Sequence, residues 1–307
     1  MNAAPTPTAP PAPVWGVDAR LRRRRITHRV ATGLCLLLCV VAIYPLLSLL
    51  WVLVERGLSS ISWEFLTSEP SVDFVPGRGV VYGGGIAHAI QGSLMVVGIG
   101  TMLGAPFGLM LGTFFAESPR QRIAGVVRTI VDSMSGLPSI VSGLFAYAFV
   151  VHQLGMGFSA WAGGVALAAL MLPTVARTTE EALRTVPQSY RDAAFALGAP
   201  RWRTVLFVVF PAAWGPVLTG LLLGVARIAG ETAPLVLTMI YGPFTNTDPS
   251  KSVATLPVLI YNYGKASSPE QNAQGWGAAL VLITLVLLLN LVVRGLSRLR
   301  MRRMGKA

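Results

Sequence analysis

The segment Ala226-Arg227-Ile228-Ala229-Gly230-Glu231-Thr232-Ala233-Pro234 places a guanidinium and a carboxylate four residues apart in an otherwise apolar stretch. Read as one helix, that spacing puts both on the same face. A charge at bilayer depth costs at least roughly 2.5–3.5 kcal/mol on insertion scales, so a chain that keeps two there is expected to use them on a solute path. Arginine suits an oxyanion, because its guanidinium stays charged and offers a planar fork of donors. Glu231 would hold Arg227 when no anion is present. Arginine before glutamate is the weaker order for such a pair, which leaves the arginine easier to release. Arg227, Glu231 and the adjoining Thr232 are candidate pathway residues. The competing reading is a static pair that braces the helix or meets a charge on a partner subunit.

A second candidate is Pro138-Ser139-Ile140-Val141-Ser142-Gly143, near the middle of another apolar stretch. Pro and Gly there can break a helix and free backbone N–H groups to meet an anion at the midplane, with Ser139 and Ser142 as hydroxyl donors. A kink that serves packing alone reads equally well. Asp132, nearby, is read as structural, since a carboxylate on an anion route would repel the solute. His88 and His152 are expected at the membrane interface or surface, not as ligands.

The third set is polar. Thr178-Thr179-Glu180-Glu181-Ala182-Leu183-Arg184-Thr185-Val186-Pro187 precedes Tyr190-Arg191-Asp192-Ala193-Ala194-Phe195-Ala196-Leu197-Gly198. The run is helix-prone and Pro187 divides it in two. Ala193, Ala194, Phe195 and Leu197 beside charges describe an amphipathic helix at a membrane surface.

These sets need a membrane scaffold. Of 307 residues, 53% are hydrophobic and only 12% are charged, about half the roughly 25% of soluble domains. Apolar spans are expected at about Val30–Val54, Ala87–Phe115, Val126–Val151, Trp161–Ala176, Val205–Tyr241 and Trp276–Val293. Each approaches the roughly 20 helical residues that cross a hydrocarbon core. The fourth is short. The fifth is long and interrupted by Gly and Pro, as a broken or re-entrant segment would be. Gly100, Gly104, Gly108 and Gly112 make a flat stripe for close helix packing. With the N-terminus inside, inner segments hold 20 of the 25 basic residues and outer loops hold 4, with Arg227 the remaining one, buried within a span. This split orients both termini to the cytoplasm. The net charge of +12 therefore points to anionic membrane lipid and not to nucleic acid. Residues 1–29 read as a disordered basic arm. The outer loops, about 56–86 and 242–275, are rich in turn-formers and aromatics. No G-x-x-x-x-G-K-[ST] cradle and no catalytic constellation occurs, so the chain is not read as an enzyme.

The run from Asp192-Ala193-Ala194 through Gly198 to Val208-Val209-Phe210-Pro211 resembles the EAA loop of ABC-importer permeases. The family spacing is kept, with Asp for Glu, Val for Ile and Phe for Leu. Other stretches resemble PstA-type permease subunits of phosphate ABC importers, within the binding-protein-dependent transport permease family. They are Ala226 to Leu235, Arg177-Thr178-Thr179-Glu180, Leu183 to Pro187, Gly136 to Leu144 and Gly83-Gly84-Gly85-Ile86. The resemblance runs from about residue 30 to the C-terminus.

That resemblance implies an all-α polytopic membrane bundle of six transmembrane helices with the type I (MetI-like) importer fold. A permease domain at 30–300 would carry a coupling loop at about 178–203, and a basic cytoplasmic tail would follow at 301–307. Glu181, Ala182, Tyr190, Asp192, Ala193, Ala194, Leu197 and Gly198 would form the surface that docks into an ATPase groove. Arg227 matches a charged residue tied to phosphate transport in the family. The implied partners are a PstC-like permease in a heterodimer, two PstB-like ATPase subunits carrying ATP with magnesium, and a PstS-like phosphate-binding protein on the outer face of a bacterial plasma (inner) membrane. This chain would itself bind no cofactor. The rival expectations are a permease for sulfate, molybdate or another solute, and an ATP-independent anion channel or carrier.

Overall fold

Hydropathy and length set the main elements of the computed structural model, which describes residues 15–75, 79–119, 121–242 and 244–304. Four helices are long and apolar enough to cross a membrane, and two bent helix pairs bring the number of candidate spans to six. The chain divides into a unit up to Val52 and a unit from Leu53 onward.

Helix α1 (Trp15–Leu58) begins well before the expected span. The disordered arm predicted for residues 1–29 is therefore corrected over 15–29, which are helical. Arg and Leu are good helix formers, and beyond Pro13 no proline interrupts the helix until Pro45. Residues 1–14 lie outside the described residues. Within the first unit the apolar side chains of α1 are exposed, Leu36, Val40 and Tyr44 among them.

After the end of α1, the second unit continues with α2 (Trp63–Thr67) and an antiparallel hairpin of β1 (Pro70–Val75) and β2 (Gly79–Gly84). Then α3 (Ala87–Glu117) runs on through Pro106. Next come α4 (Arg122–Gly136), α5 (Ser139–Ala146) and a π-helical extension over Tyr147–Gln153. Helix α6 (Ala160–Arg184) spans 25 residues, so the fourth span is not short. The polar residues 177–184, read as loop, continue the same helix because nothing before Pro187 stops it.

Beyond Pro187 lie α7 (Gln188–Ala196), α8 (Arg201–Thr204), a π-helical turn at Val205–Val209, α9 (Phe210–Ala212), α10 (Trp214–Ala229) and α11 (Ala233–Thr238). Helix α12 (Leu256–Gly264) lies in a stretch read as loop, its nine residues being too few for a span. Helix α13 (Pro269–Met304) closes the chain and runs past the tail boundary expected at 300; residues 305–307 lie outside the described residues.

The core is built where α3 crosses α6. Gly100, Gly104, Gly108 and Gly112 are buried and face Leu167, Ala168, Val175, Ala176 and Thr179. A Cβ at Gly108 would stand 2.7 Å from the Val175 Cβ. The stripe thus brings two backbones into contact, as small residues do between membrane helices. Helix α10 lies on the same α6 through Gly220, which meets Thr178, and Gly224, which meets Val175 and Met171. Buried Leu167, Met171, Val175 and Ile228 fill the joint between the helices.

Candidate solute pathway and coupling surface

Both predicted breaks are real turns of the chain. The first falls at Leu137-Pro138, where both residues are extended (ψ 141° and 138°). A residue before proline avoids the helical region, so α4 stops at Gly136 and α5 leaves at 107° to it. The fifth span bends by 77° at Ala213. It breaks again at Gly230-Glu231-Thr232, between α10 and α11. Pro234 has no N–H to bond the Gly230 carbonyl, and Gly230 is a poor helix former.

That second break corrects the reading of Arg227 and Glu231. Arg227 is in the last turn of α10 and Glu231 lies beyond its end, so they do not share a helix face. No ion pair joins them, and among the described residues Arg227 has no charged partner. It is also exposed, not buried within its span. Pro216, Thr219, Leu223 and Arg227 form one exposed stripe along α10, flanking the glycine face held by α6. The neighbouring Ile228 packs against Gly100, near the middle of the 31-residue α3. The guanidinium therefore stands at mid-span on a face this chain leaves uncovered.

The two breaks meet. A Cβ at Gly143 would lie 2.5 Å from the Pro234 Cα, so α5 and α11 touch backbone to backbone. Ser142 adjoins Gly143 in the chain, and Glu231-Thr232 lie two to three residues before Pro234. Ser139, Ser142, Glu231 and Thr232 are all half-buried. The first-turn amides of α5 have no intrahelical acceptor. Near the broken spans the chain therefore gathers hydroxyls and helix-end amides, with the guanidinium one turn before the second break.

The C-terminal end of α6 carries a charge network, in which Arg177–Glu180 and Glu180–Arg184 have helical i,i+3 and i,i+4 spacing while Arg128 and Asp132 join from α4. Glu180 is 2% exposed. Its Oε1 accepts from Arg128 at 2.7 Å and lies 2.7 Å from Arg184 Nη2, and its Oε2 accepts from Arg177 at 3.4 Å. Arg177 in turn reaches Asp132 at 3.1 Å, which gives Asp132 a partner on α6. Arg128 also donates to the Phe115 carbonyl and stacks over the Phe115 ring. Sequence reading quoted Arg177 and Glu180 as a motif without naming partners.

The expected coupling residues divide between surface and interior. Glu181, Tyr190, Asp192, Ala193, Leu197 and Gly198 are exposed, Leu197 at 89%. Ala182 and Ala194 are buried, a correction to their placement on the docking surface: the pitch of α6 and α7 turns them inward. Ala182 packs with Leu183, Val186 and Val209. Gly198 has φ +79°, a left-handed conformation that a side chain would strain, and it ends α7 sharply. A groove of about 530 Å³ runs beside α7, lined by Tyr190, Ala193, Leu197 and Val208 among others.

The two loops expected on the outer face are partly ordered. Glu69 Oε1 accepts from the Thr245 N–H at 3.1 Å and joins one loop to the other. Hydrogen bonds from Thr245 hold the Glu69 carboxyl below the usual carboxylate range. Trp63, Val72 and Phe74 stand exposed on this side. His152 is exposed as expected, but His88 is 2% exposed and edge-on to Tyr241. The chain between α11 and α12 folds back over it, which corrects its placement at the surface.

Comparison with known proteins agrees with this architecture. The family described as binding-protein-dependent transport system inner membrane component matches residues 104–306. The phosphate transport system permease protein PstA of Yersinia pestis is 39% identical over 272 residues, covering 88% of this chain and 90% of that protein. PstA of Haemophilus influenzae is 36% identical over 279 residues, covering 90% and 96%. PstA 1 of Mycobacterium tuberculosis (strain CDC 1551 / Oshkosh) is 38% identical over 272 residues, covering 88% of each. Among solved structures, the inward-facing MetNI methionine ABC transporter superposes with a TM-score of 0.58 at 21% identity, covering 69% of this chain and 94% of that one. A bacterial alginate ABC transporter gives 0.51 at 17% identity, covering 68% and 78%. The chain belongs to the PstA family of binding-protein-dependent transport system inner membrane components: a multi-pass membrane permease with the MetI-type fold, and not an ATPase.

Proposed function

We propose that this chain is one half of the translocation pathway of a phosphate ABC importer, with Arg227 as the group that binds the passing anion. The observation that carries the role of Arg227 is its mid-span position on the uncovered face of α10 without a carboxylate partner among the described residues. An unpaired charge there costs several kcal/mol in lipid. The cost falls away if that face lines a hydrated passage shared with a second, PstC-like permease. Phosphate would take the guanidinium fork, with hydroxyls from Ser139, Ser142 and Thr232 near the two breaks. Glu231 sits close enough in the chain to compete for the cation between cycles.

Helix α7 and the adjoining end of α6 would meet one of two PstB-like ATPase subunits, which hold ATP and magnesium, through Glu181, Tyr190, Asp192, Ala193, Leu197 and Gly198. ATP binding would close the ATPase dimer, displace α7 and open the passage outward; hydrolysis would reset it. A PstS-like binding protein would dock on the outer loops, where Trp63, Val72 and Phe74 are exposed. The charge split between loops supports cytoplasmic termini and a permease domain over about 30–300.

The test compares Arg227→Gln and Arg227→Lys in the reconstituted complex, measuring uptake of labelled phosphate with sulfate and molybdate as competitors. Gln should abolish uptake and Lys should retain a fraction, with ATPase subunits still bound. Normal uptake by an assembled Arg227→Gln complex would remove Arg227 from the pathway. Equal competition by sulfate would widen the substrate class.

A further inference from the structure

Helix α7 lies between two breaks of the chain. Pro187 precedes it, and Gly198 follows it at φ +79°. Neither connection carries the helical hydrogen-bond ladder from α6 into α7, so the backbone alone couples the two helices weakly. One side chain crosses from α7 to both long helices above it. Arg191 is 9% exposed. Its Nε and Nη2 donate to Glu117 Oε1, on the last residue of α3, at 3.2 and 2.8 Å. Its Nη1 donates to the Val186 carbonyl at 3.0 Å, and Nη2 donates also to the Leu183 carbonyl at 3.1 Å.

These carbonyls lie at and just past the C-terminal end of α6, where helix carbonyls lack intrahelical donors and the dipole is negative. A single buried guanidinium thus caps α6, binds the end of α3 and belongs to α7. The planar fork of donors reaches a carboxylate and two carbonyls on separate segments, which a compact ammonium covers less well. Above the joint, the glycine stripe locks α3 to α6, and α6 holds α10 through Gly220 and Gly224.

We propose that Arg191 is a positioning residue that fixes α7 to the α3–α6 pair, so that displacement of α7 moves that pair, and with it α10 and Arg227, as one body. The proposal rests on the reading of α7 as the ATPase-coupling helix. Neither Asp192 nor Leu197, which face outward, can supply this link. Without Arg191, α7 would swivel on Pro187 and Gly198 while the ATPase cycled.

Arg191→Gln, Arg191→Lys and Glu117→Gln are compared in the complete complex in proteoliposomes. Two quantities are read: phosphate taken up per ATP hydrolysed, and hydrogen–deuterium exchange of amides 188–196 without nucleotide. Loss of charge-assisted hydrogen bonds in Arg191→Gln should lower phosphate per ATP by roughly tenfold or more. Arg191→Lys and Glu117→Gln should lower it less. Exchange across 188–196 should rise in the same order, with amides 100–112 of α3 unchanged. An assembled Arg191→Gln complex with wild-type stoichiometry, or with α7 still protected, overturns the proposal. If Arg191→Gln does not assemble, the two milder variants decide: unchanged phosphate per ATP in both would assign Arg191 to folding alone. Should the wild-type complex move no phosphate, the functional reading fails, and the exchange series still judges the joint by itself.

Discussion

Gly98 and Gly112 lie on the same helix, α3, yet alanine should act on them with opposite sign. A Cβ at Gly98 meets nothing within 4 Å. There the substitution brings only the helix-propensity gain, up to about 1 kcal/mol. A Cβ at Gly112 would lie 2.5 Å from the Ala176 carbonyl oxygen and 2.6 Å from the Thr179 Cβ. Non-bonded carbon contacts settle near roughly 3.5–4.0 Å, so α3 and α6 must part by about 1 Å. The obstacle is a backbone carbonyl, which cannot rotate aside, so the upper part of the roughly 1–3 kcal/mol cost of overpacking applies. Set against the same propensity gain, Gly112→Ala should destabilise by about 1–2 kcal/mol, and the two variants should differ by about 2–3 kcal/mol. The assay is reversible unfolding of the purified subunit in mixed micelles with increasing denaturing detergent, with Gly98→Ala as internal control. A Gly112→Ala subunit as stable as Gly98→Ala would refute the claim that this stripe sets the distance between the two helices.

Glu180→Ala strands three arginines around a buried site. It should cost about 3 kcal/mol in the same unfolding assay, the low end for a broken buried pair, because Arg177 and Arg184 are about half exposed and screened. Leu197→Asp changes an 89% exposed side chain. Subunit stability should stay within about 0.5 kcal/mol, while co-purification of the ATPase subunits is lost. For Glu69, the folded carboxyl is depressed by hydrogen bonds from Thr245. The tether's contribution is therefore complete above the ordinary glutamate range, near about 4.3. It is lost as pH falls through the lowered folded value. Protection of the Thr245 amide should drop only in acid, and Glu69→Gln should remove that dependence.

The spans were legible because hydropathy summed over about 20 residues is a strong signal. The break at Pro138 was legible for a local reason, since proline restricts the residue before it. The pairing of Arg227 with Glu231 failed at the same level of detail. It assumed a continuous helix across Gly230 and Pro234, residues that end one, and both were in plain view. Arg191 and Glu117 were not legible at all. They stand on different helices with no period relating them, and only the folded chain brings them to 2.8 Å. Ala182 and Ala194 were assigned to the docking surface from a motif, and a motif carries no information about which way each small residue turns. His88 was misplaced because its cover comes from distant chain around α12.

The pairing of α3 with α6 also imposes a timetable on biogenesis. The flat glycine side of α3 leaves the ribosome with its mate still unmade, since the whole of α4, α5 and the π-helical extension must be synthesised first. In that interval a notched helix stands in the bilayer with nothing filling the notch, exposed to the mispairing that endangers incomplete chains. Until α6 is made, lipid alone can cover that notch, and the arriving helix must displace it.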